Sequence, residues 1–280
     1  MPIEHQFDYF MIIVLAVVQG ITELFPVSSL GHSIILPHLI GRDIALSSAS
    51  FLPLLVTMHL GTAFALLIYF RKDWIEIFSG ITHGNFSIKT NVNNKILFNI
   101  IIGTIPAGLL GFILRKPLTS LFSDYRIVCV FLVLNGCMLM IGEIIRRRNK
   151  YKEFTDLSTM SIIFIGISQA LALLPGFSRS GATLVAGMLT GLRNEDAARF
   201  SFLLATPIIL AAGVLEVPKL FKPEMMVNLM PAIVGGVCAG IIAFFSTWFL
   251  MRYFKTHEVN ALFPFGIYCI LLGGVVLFFL

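Results

Sequence analysis

Charge is what this sequence lacks most. Only 12% of its 280 residues are Asp, Glu, Lys or Arg, whereas 57% are hydrophobic; soluble domains average about 25% charged residues. With a mean hydropathy of +0.91, this scarcity excludes an ordinary soluble globular protein. The net charge of +5 does not indicate nucleic-acid binding, because basic residues collect in the cytoplasmic loops of membrane proteins. We therefore expect contact with membrane lipids and no nucleic-acid partner.

Cysteine is also scarce, and the first residues do not follow the pattern of a signal peptide. The four cysteines lie inside apolar segments without a CxxC pair, which favours packing over a disulfide or a zinc site. The leader MPIEHQFDY contains two acidic residues and no Lys or Arg. We therefore do not expect the first apolar run to be a signal peptide.

Long hydrophobic runs are abundant, and about 20 apolar residues suffice to cross a bilayer. Two further segments, 10–40 and 160–192, are interrupted in the middle by Pro, Gly and hydroxyl residues. Irregular backbone at membrane depth is tolerated only where protein or a water-filled cavity satisfies its peptide groups. We therefore predict an all-α polytopic membrane protein with two re-entrant helix–loop–helix hairpins and six crossings. The predicted crossings are 50–70, 96–114, 125–145, 200–217, 227–251 and 262–280.

The same pattern predicts an inverted-topology repeat within one membrane domain, 1–280. The first repeat, 1–150, is hairpin 10–40 plus three crossings, and the second, 151–280, is hairpin 160–192 plus three crossings. A shift of 150 residues matches four positions: Gln19 with Gln169, Leu24 with Leu174, Ser28 with Ser178 and Gly31 with Gly181. Placing both termini outside puts 13 basic residues in cytoplasmic loops and six outside, as the positive-inside rule favours. Inverted repeats with broken helices are common in transporters, so a transporter is an alternative.

Arg179 carries the largest free-energy cost of membrane insertion in the sequence, since an unpaired arginine within a membrane segment costs at least about 2.5–3.5 kcal/mol. Around it lie Ser178, Ser180 and Thr183, in the stretch PGFSRSGAT, and a helical run resumes afterwards. Hydroxyls, a guanidinium and a helix N-terminus together indicate a phosphate site. The alternative is an arginine that merely pairs with a carboxylate to hold the two hairpins together.

The first hairpin has a complementary polar set. Gln19 and Glu23 are four residues apart, hence on one helix face, and Ser28, Ser29 and His32 follow. Carboxylate, amide and hydroxyl oxygens suit a hard cation, Mg²⁺ or Ca²⁺, held together with substrate phosphates. His32 is a candidate general acid, base or nucleophile, and the alternative is a histidine that only packs against its neighbours. For Glu23 the alternative is a salt bridge to Arg179.

His59, in VTMHLGTAFALL, is a further ionisable residue in an apolar segment. It would either line the same cavity or hydrogen-bond to a neighbouring helix, and the sequence favours neither.

These residues carry a resemblance to a known family. Gln19-Gly-Ile-Thr-Glu23, continued by LFPVSSLGH, and Pro175-Gly-Phe-Ser-Arg-Ser-Gly-Ala-Thr183 closely resemble the two signatures of the undecaprenyl-diphosphate phosphatases, also known for bacitracin resistance. FSFLLATP, residues 200–207, is similar to the family too, as are length and hydropathy along the whole chain.

The resemblance implies a multi-pass enzyme of the bacterial inner membrane that hydrolyses undecaprenyl diphosphate to undecaprenyl phosphate and phosphate. This reaction recycles the lipid carrier of cell-wall synthesis. A divalent metal and an active site facing the periplasm are implied as well, and a homodimer is possible. Two departures stand out: Gln19 replaces a frequent glutamate, and His59 replaces a frequent glutamine.

The resemblance also implies residue roles. Glu23, assisted by Gln19, would bind the metal or activate water, while Ser29 and His32 are candidates to attack or protonate the phosphate. Arg179, with Ser178 and Thr183, would hold the diphosphate; Ser180 and Ser28 are added to that set from the sequence. A second alternative is a metal-independent lipid phosphatase with paired histidines. That type of enzyme has an upstream Lys/Arg–Arg-Pro motif, which this sequence does not contain.

Overall fold

The protein is helical, with no β-strand, throughout the part of the chain that the computed structural model describes: residues 9–40, 51–82, 92–119, 124–146 and 151–279. Five residues of the charge count, Arg42, Lys89, Arg147, Arg148 and Lys150, lie outside these ranges. The α-helices are α1 (Tyr9–Thr22), α2 (Ser29–Leu39), α3 (Phe51–Tyr69), α4 (Arg71–Thr82), α5 (Val92–Thr119), α6 (Tyr125–Ile145), α7 (Thr159–Gln169), α8 (Arg179–Leu189), α9 (Asn194–Glu216), α10 (Leu229–Thr256) and α11 (Phe263–Phe279). Short 3₁₀ helices span Phe154–Asp156, Ala170–Leu173, Val217–Phe221 and Pro223–Asn228.

Five of these helical stretches are long and apolar enough to cross a membrane. They are Phe51–Tyr69, Val92–Leu114, Tyr125–Ile145, Asn194–Phe221 and Met226–Thr256. The sixth predicted crossing coincides with α11, whose 17 residues extend about 26 Å, slightly less than the hydrocarbon thickness of about 30 Å. Large apolar side chains such as Phe245, Trp248 and Leu271 are exposed, as lipid contact requires. The chain is therefore an integral membrane protein.

Helix α4 was not predicted, because its segment RKDWIEIFSGIT is too polar for a crossing and was counted as a cytoplasmic loop. Ile77 is buried while Ile75 and Phe78 are exposed, so the helix has apolar groups on more than one side. An ion pair between Asp73 and Arg199 fastens α4 to α9.

Both predicted interruptions are turns between two short helices. The first separates α1 from α2 and contains Pro26; the second follows the 3₁₀ turn Ala170–Leu173, contains Pro175 and ends at α8. Each second helix begins after a capping serine, since Ser28 Oγ accepts from Gly31 N–H and Ser178 Oγ accepts from Gly181 N–H. Capping hydroxyls satisfy N–H groups that a helix start leaves unpaired.

The tips of the two hairpins meet around Asn135 in the middle of α6. The Asn135 side chain donates Nδ2–H to Pro26 O (3.0 Å) and accepts from Ser178 N–H at Oδ1 (3.1 Å). Ser180 Oγ–H donates directly to Phe25 O at 3.0 Å. One amide therefore joins the turns of both hairpins, which places their polar residues side by side.

Glycine contacts set the spacing of the surrounding helices. A Cβ on Gly61 of α3 would lie 1.8 Å from the carbonyl oxygen of Gly236 in α10, and one on Gly166 of α7 would lie 2.6 Å from Gly103 O in α5. Small residues at such crossings let helices approach closely in membranes, where dispersion contacts drive packing. The first of these crossings positions α3, which presents His59 to the hairpin tips.

Candidate active site

Glu23 is the centre of the polar cluster. Its backbone N–H still donates to Gln19 O at 2.9 Å, so the carboxylate projects from the C-terminal end of α1. Gln19 Nε2–H donates to Glu23 Oε2 at 3.1 Å, as the spacing of four residues predicts. The side chain of Glu23 is only 6% exposed, and such a buried carboxylate must be paired.

Ser29, the first residue of α2, is aimed at this carboxylate. Ser29 Oγ–H donates to Glu23 Oε2 at 2.6 Å, the short distance typical of a hydroxyl bonded to an ionised acceptor. A serine hydroxyl that donates to a buried carboxylate has the geometry of a nucleophile next to its base. Both residues come from the first hairpin, so the pair is formed locally.

Arg179 brings the second hairpin to the same carboxylate. Its Nη2 lies 3.3 Å from Glu23 Oε1, and its Nη1–H donates to Ser201 O of α9 at 3.3 Å. The ion pair considered as an alternative for both residues is thus present in this structure. This ion pair does not use every donor of the guanidinium, because Arg179 Nε is buried without a hydrogen-bond partner among the described residues.

His59 of α3 completes the cluster. Its Nε2 lies 3.2 Å from Glu23 Oε2, and its Nδ1 lies 2.8 Å from Leu55 O in the preceding turn. Of the two possibilities left open by the sequence, the structure places His59 in the cavity wall. The Glu23 carboxylate therefore faces an amide, a hydroxyl, an imidazole and a guanidinium.

A cavity of about 380 Å³ opens onto this cluster. Its polar end is formed by Glu23, Ser28, Ser29, His59, Ser178 and Arg179, with Gln169 nearby. The rest of its wall is apolar and comes mainly from α3, α5, α9 and the second hairpin, with a single further carboxylate at Glu216. The N-termini of α2 and α8 meet at its polar end, and helix N-termini favour anions. This shape suits an amphiphile with an anionic head and an apolar tail.

Ser180 and Thr183 lie behind the cavity rather than in its described wall. Thr183 Oγ lies 2.6 Å from Ser201 Oγ and donates to backbone carbonyls of its own helix, while Ser180 Oγ–H donates to Phe25 O. Both hydroxyls therefore hold α8 against α9 and the first hairpin. Direct contact between either residue and a diphosphate stays a prediction that this geometry does not favour.

His32 is likewise absent from the described cavity wall. Its Nδ1 lies 2.7 Å from Ser28 O, and its Nε2 lies 2.7 Å from the hydroxyl of Tyr268 in α11. Both ring nitrogens are thus occupied by partners other than Glu23. A direct acid, base or nucleophile role for His32 stays a prediction without geometric support in this state.

A divalent cation would meet a single carboxylate at this site. Within the described ranges, no three His, Cys, Asp or Glu side chains are grouped to hold a metal. Gln19 faces Glu23 with its amide nitrogen, but its Oε1 is buried and has no hydrogen-bond partner among the described residues, and amide and carboxylate oxygens are ligand types that suit a hard cation. Glu23 and Gln19 therefore fit a cation that takes its remaining ligands from substrate oxygens and water.

Three residues of this region were not singled out from the sequence: Asn135, Ser201 and Gln169. Asn135 gave a signal, an amide in the middle of the apolar run FLVLNGCMLM, which is rare enough in a membrane helix to indicate a structural or functional contact. Ser201 acts partly through its backbone carbonyl, which side-chain patterns do not reveal. Gln169 was aligned with Gln19 but given no role; its Nε2–H donates to Gly103 O at 3.4 Å.

Comparison with known proteins identifies the relatives of this chain. The profile of the family described as bacitracin resistance protein BacA matches residues 12–275. An undecaprenyl-diphosphatase 2 of Chromobacterium violaceum is 49% identical over 94% of this chain and 96% of that protein. Proteins with the same name are 47% identical in Burkholderia ambifaria, over 94% of this chain and 93% of that protein, and 43% identical in Oenococcus oeni, over 95% and 96%. Since the match extends over nearly the entire sequence and includes every residue of the cluster around Glu23, the chain belongs to the bacitracin resistance protein BacA family.

Proposed function

We propose that this protein is an undecaprenyl-diphosphatase, which hydrolyses undecaprenyl diphosphate to undecaprenyl phosphate and inorganic phosphate. The product is the lipid carrier of cell-wall precursors, so the reaction sustains peptidoglycan synthesis and confers bacitracin resistance. The observation that carries the proposal is the 2.6 Å contact between Ser29 Oγ and Glu23 Oε2, beside Arg179 in a cavity with an apolar wall. The names of relatives that match nearly the whole chain support the same substrate.

Ser29 is the nucleophile that this geometry favours. Glu23 takes the proton of Ser29 Oγ as the oxygen forms a bond to the terminal phosphorus. The bond from that phosphorus to the bridging oxygen breaks, and undecaprenyl phosphate leaves. Glu23 releases this proton to the departing undecaprenyl phosphate. It then takes a proton from the water that attacks the phosphoserine and returns it to Ser29 Oγ, so that inorganic phosphate leaves and the hydroxyl is restored. Direct attack by water remains the alternative route, and it needs the same carboxylate.

Arg179 and two helix N-termini provide the positive charge that phosphoryl transfer requires. Arg179 Nε is available to a phosphate oxygen, because it is buried and unpaired among the described residues. If Arg179 Nη2 released Glu23 Oε1 and bound a second phosphate oxygen, the contact would be bidentate. Ser28 and Ser178 lie in the wall at the starts of α2 and α8. The two phosphates therefore lie between the two hairpin tips, with the backbone N–H groups of both helices facing them.

A divalent cation, Mg²⁺ or Ca²⁺, is part of the proposal because a diphosphate brings several negative charges next to Glu23. Glu23 and Gln19 would hold it, Gln19 through the unpaired Oε1. When bound, such an ion neutralises charge on the phosphate oxygens during transfer. The residues of the chain position the diphosphate and exchange the proton of Ser29.

The membrane topology is proposed as six crossings and two re-entrant hairpins in an inverted repeat of the bacterial inner membrane. Equivalent contacts support it: α1 packs on α10 as α7 packs on α5, and α3 packs on α10 as α9 packs on α5. The cavity wall reaches Leu52 near the start of α3 and Glu216 at the end of α9. With both termini outside, these ends face the periplasm, and so does the site. A homodimer stays a prediction.

Phosphate release from undecaprenyl diphosphate by the purified protein in detergent tests the proposal. We expect release with Mg²⁺ or Ca²⁺, none with EDTA, and a loss of at least about 1,000-fold for Glu23→Gln, because this amide cannot act as the base. Glu258→Gln is the matched control, since Glu258 forms an exposed ion pair with Arg193. Folded wild-type protein that releases no phosphate would refute the proposal and favour the transporter, whereas release unaffected by EDTA would remove only the cation.

A further inference from the structure

The peptide that joins Ser28 to Ser29 has an unusual conformation. Ser28 has a φ of +69°, a region that residues with a side chain seldom adopt outside functional sites. This strained residue caps α2 and directly precedes the proposed nucleophile. Such a conformation persists only where neighbouring contacts hold it.

A chain of two side-chain hydrogen bonds holds this peptide, and it is formed by two residues, His32 and Tyr268, that lie outside the described cavity wall. Ser28 O can only accept, so His32 Nδ1, 2.7 Å away, carries the hydrogen of that bond. His32 Nε2 then presents a lone pair and accepts from the Tyr268 hydroxyl at 2.7 Å. The two rings are parallel within 4°, with centroids 5.6 Å apart. The chain therefore runs in one direction, from Tyr268 O–H through the imidazole to the carbonyl of Ser28.

Fixing this carbonyl also fixes Ser29. In a trans peptide the C=O and the next N–H point in opposite directions, so a Ser28 carbonyl held within α2 directs Ser29 N–H out of the helix start. Ser28 and Ser29 both lie in the cavity wall, and Ser29 Oγ reaches Glu23 from this position. The same contact thus aims a backbone donor and the hydroxyl at the place of the phosphate.

We propose that Tyr268 and His32 are positioning residues, which keep Ser28 in its strained conformation and Ser29 aligned for attack without touching the substrate. This inference rests on the proposed phosphatase activity and deepens it. Tyr268 lies in α11, which contributes no residue to the described cavity wall. Its effect on the reaction therefore passes through His32 and the peptide between Ser28 and Ser29.

Steady-state kinetics of Tyr268→Phe on undecaprenyl diphosphate test the inference. This substitution keeps the stacked ring and removes the hydroxyl, which leaves His32 Nε2 without its donor. We expect kcat to fall about tenfold with KM within about twofold and an unchanged melting temperature, since the ground-state contacts to the diphosphate remain. Tyr253→Phe is the matched control, because its hydroxyl also makes a single hydrogen bond, to Ala261 O, and its ring also stacks on a histidine, His257.

A double-mutant cycle shows whether Tyr268 acts through His32. His32→Ala should lower kcat at least as much as Tyr268→Phe, and the double variant should show no further loss, because both break the same chain. Multiplicative losses, or a Tyr268→Phe enzyme with the kcat of the wild type, would overturn the inference and leave the phosphatase proposal intact. A fall in melting temperature together with a raised KM would also overturn it. Inactive wild-type protein would refute both.

Discussion

Replacement of Arg179 separates binding of the diphosphate from stability of the fold. Arg179 is the cationic side chain of the described cavity wall that reaches both Glu23 and α9. Removal of one preorganised donor from a site of developing charge costs about 100–1,000-fold in kcat. Arg179→Ala removes the charge and the whole fork, so we expect a loss of at least about 1,000-fold. Arg179→Lys restores a point charge without the planar fork and should lose less, about 10–100-fold.

The fold should survive these changes because Glu23 keeps three other contacts. Gln19, Ser29 and His59 remain within 3.2 Å of Glu23 Oε2, so the buried carboxylate does not lose all its partners. We therefore expect a destabilisation of about 1–3 kcal/mol, below the value of about 3–5 kcal/mol for an orphaned buried charge.

Phosphate release and thermal melting in the same detergent measure the two quantities. The matched control is Arg193→Ala, which removes an exposed arginine that also pairs with a glutamate, Glu258. A folded Arg179→Ala protein with activity near that of the wild type would refute the assignment of the diphosphate site. Equal losses for Ala and Lys would instead refute the argument from charge.

Three further substitutions test other parts of the argument. Ser29→Ala should abolish turnover without changing the melting temperature. Mass spectrometry of acid-quenched wild-type enzyme should find phosphate on Ser29, whereas turnover by the alanine variant would assign the attack to water. Asn135→Leu leaves Pro26 O and Ser178 N–H without their partner, so we expect a loss of about 2–6 kcal/mol from two unpaired buried groups. The loss would be seen as a lowered melting temperature, and an unchanged melting temperature would show that the hairpin tips do not depend on this amide. Gly61→Val should prevent the close approach of α3 to Gly236 and lower the yield of folded protein. Gly274→Ala should be neutral, because an added Cβ there meets no atom within 4 Å. Equal yields would show that the packing of α3 on α10 does not need a glycine at position 61.

Much of the fold was predictable because the signals were local. Proline, glycine and hydroxyl residues inside apolar segments marked both turns, and capping serines 28 and 178 lie where the helices restart. Membrane crossings follow from length and hydropathy, which act over a single segment. Helix α4 was missed because its charged residues lower its mean hydropathy, so a hydropathy scan does not distinguish it from a polar loop.

The site was predictable in its composition but not in its directions. The sequence selected Glu23, Ser29 and Arg179, and the structure brings them together. The sequence could not show that the Ser180 hydroxyl bonds to a backbone carbonyl or that Thr183 contacts Ser201. Neighbouring residues of one helical motif face different sides, and the motif does not reveal which side faces the cavity. His32 has the same explanation: its Nε2 contacts Tyr268, 236 residues away, and a contact at that separation leaves no local pattern.

The two hairpins use the same local structure for opposite chemical roles. Ser29 and Arg179 are each the first residue of a helix that follows a capping serine, and a shift of 150 residues places one on the other. In the first hairpin this position bears the hydroxyl, and in the second it bears the guanidinium. Neither hairpin alone contains both the proposed nucleophile and the proposed phosphate-binding cation, and His59 comes from α3, outside both. The site is therefore complete only when the two halves of the chain pack together, and Asn135, bonded to both tips, supports this packing from outside the described cavity wall.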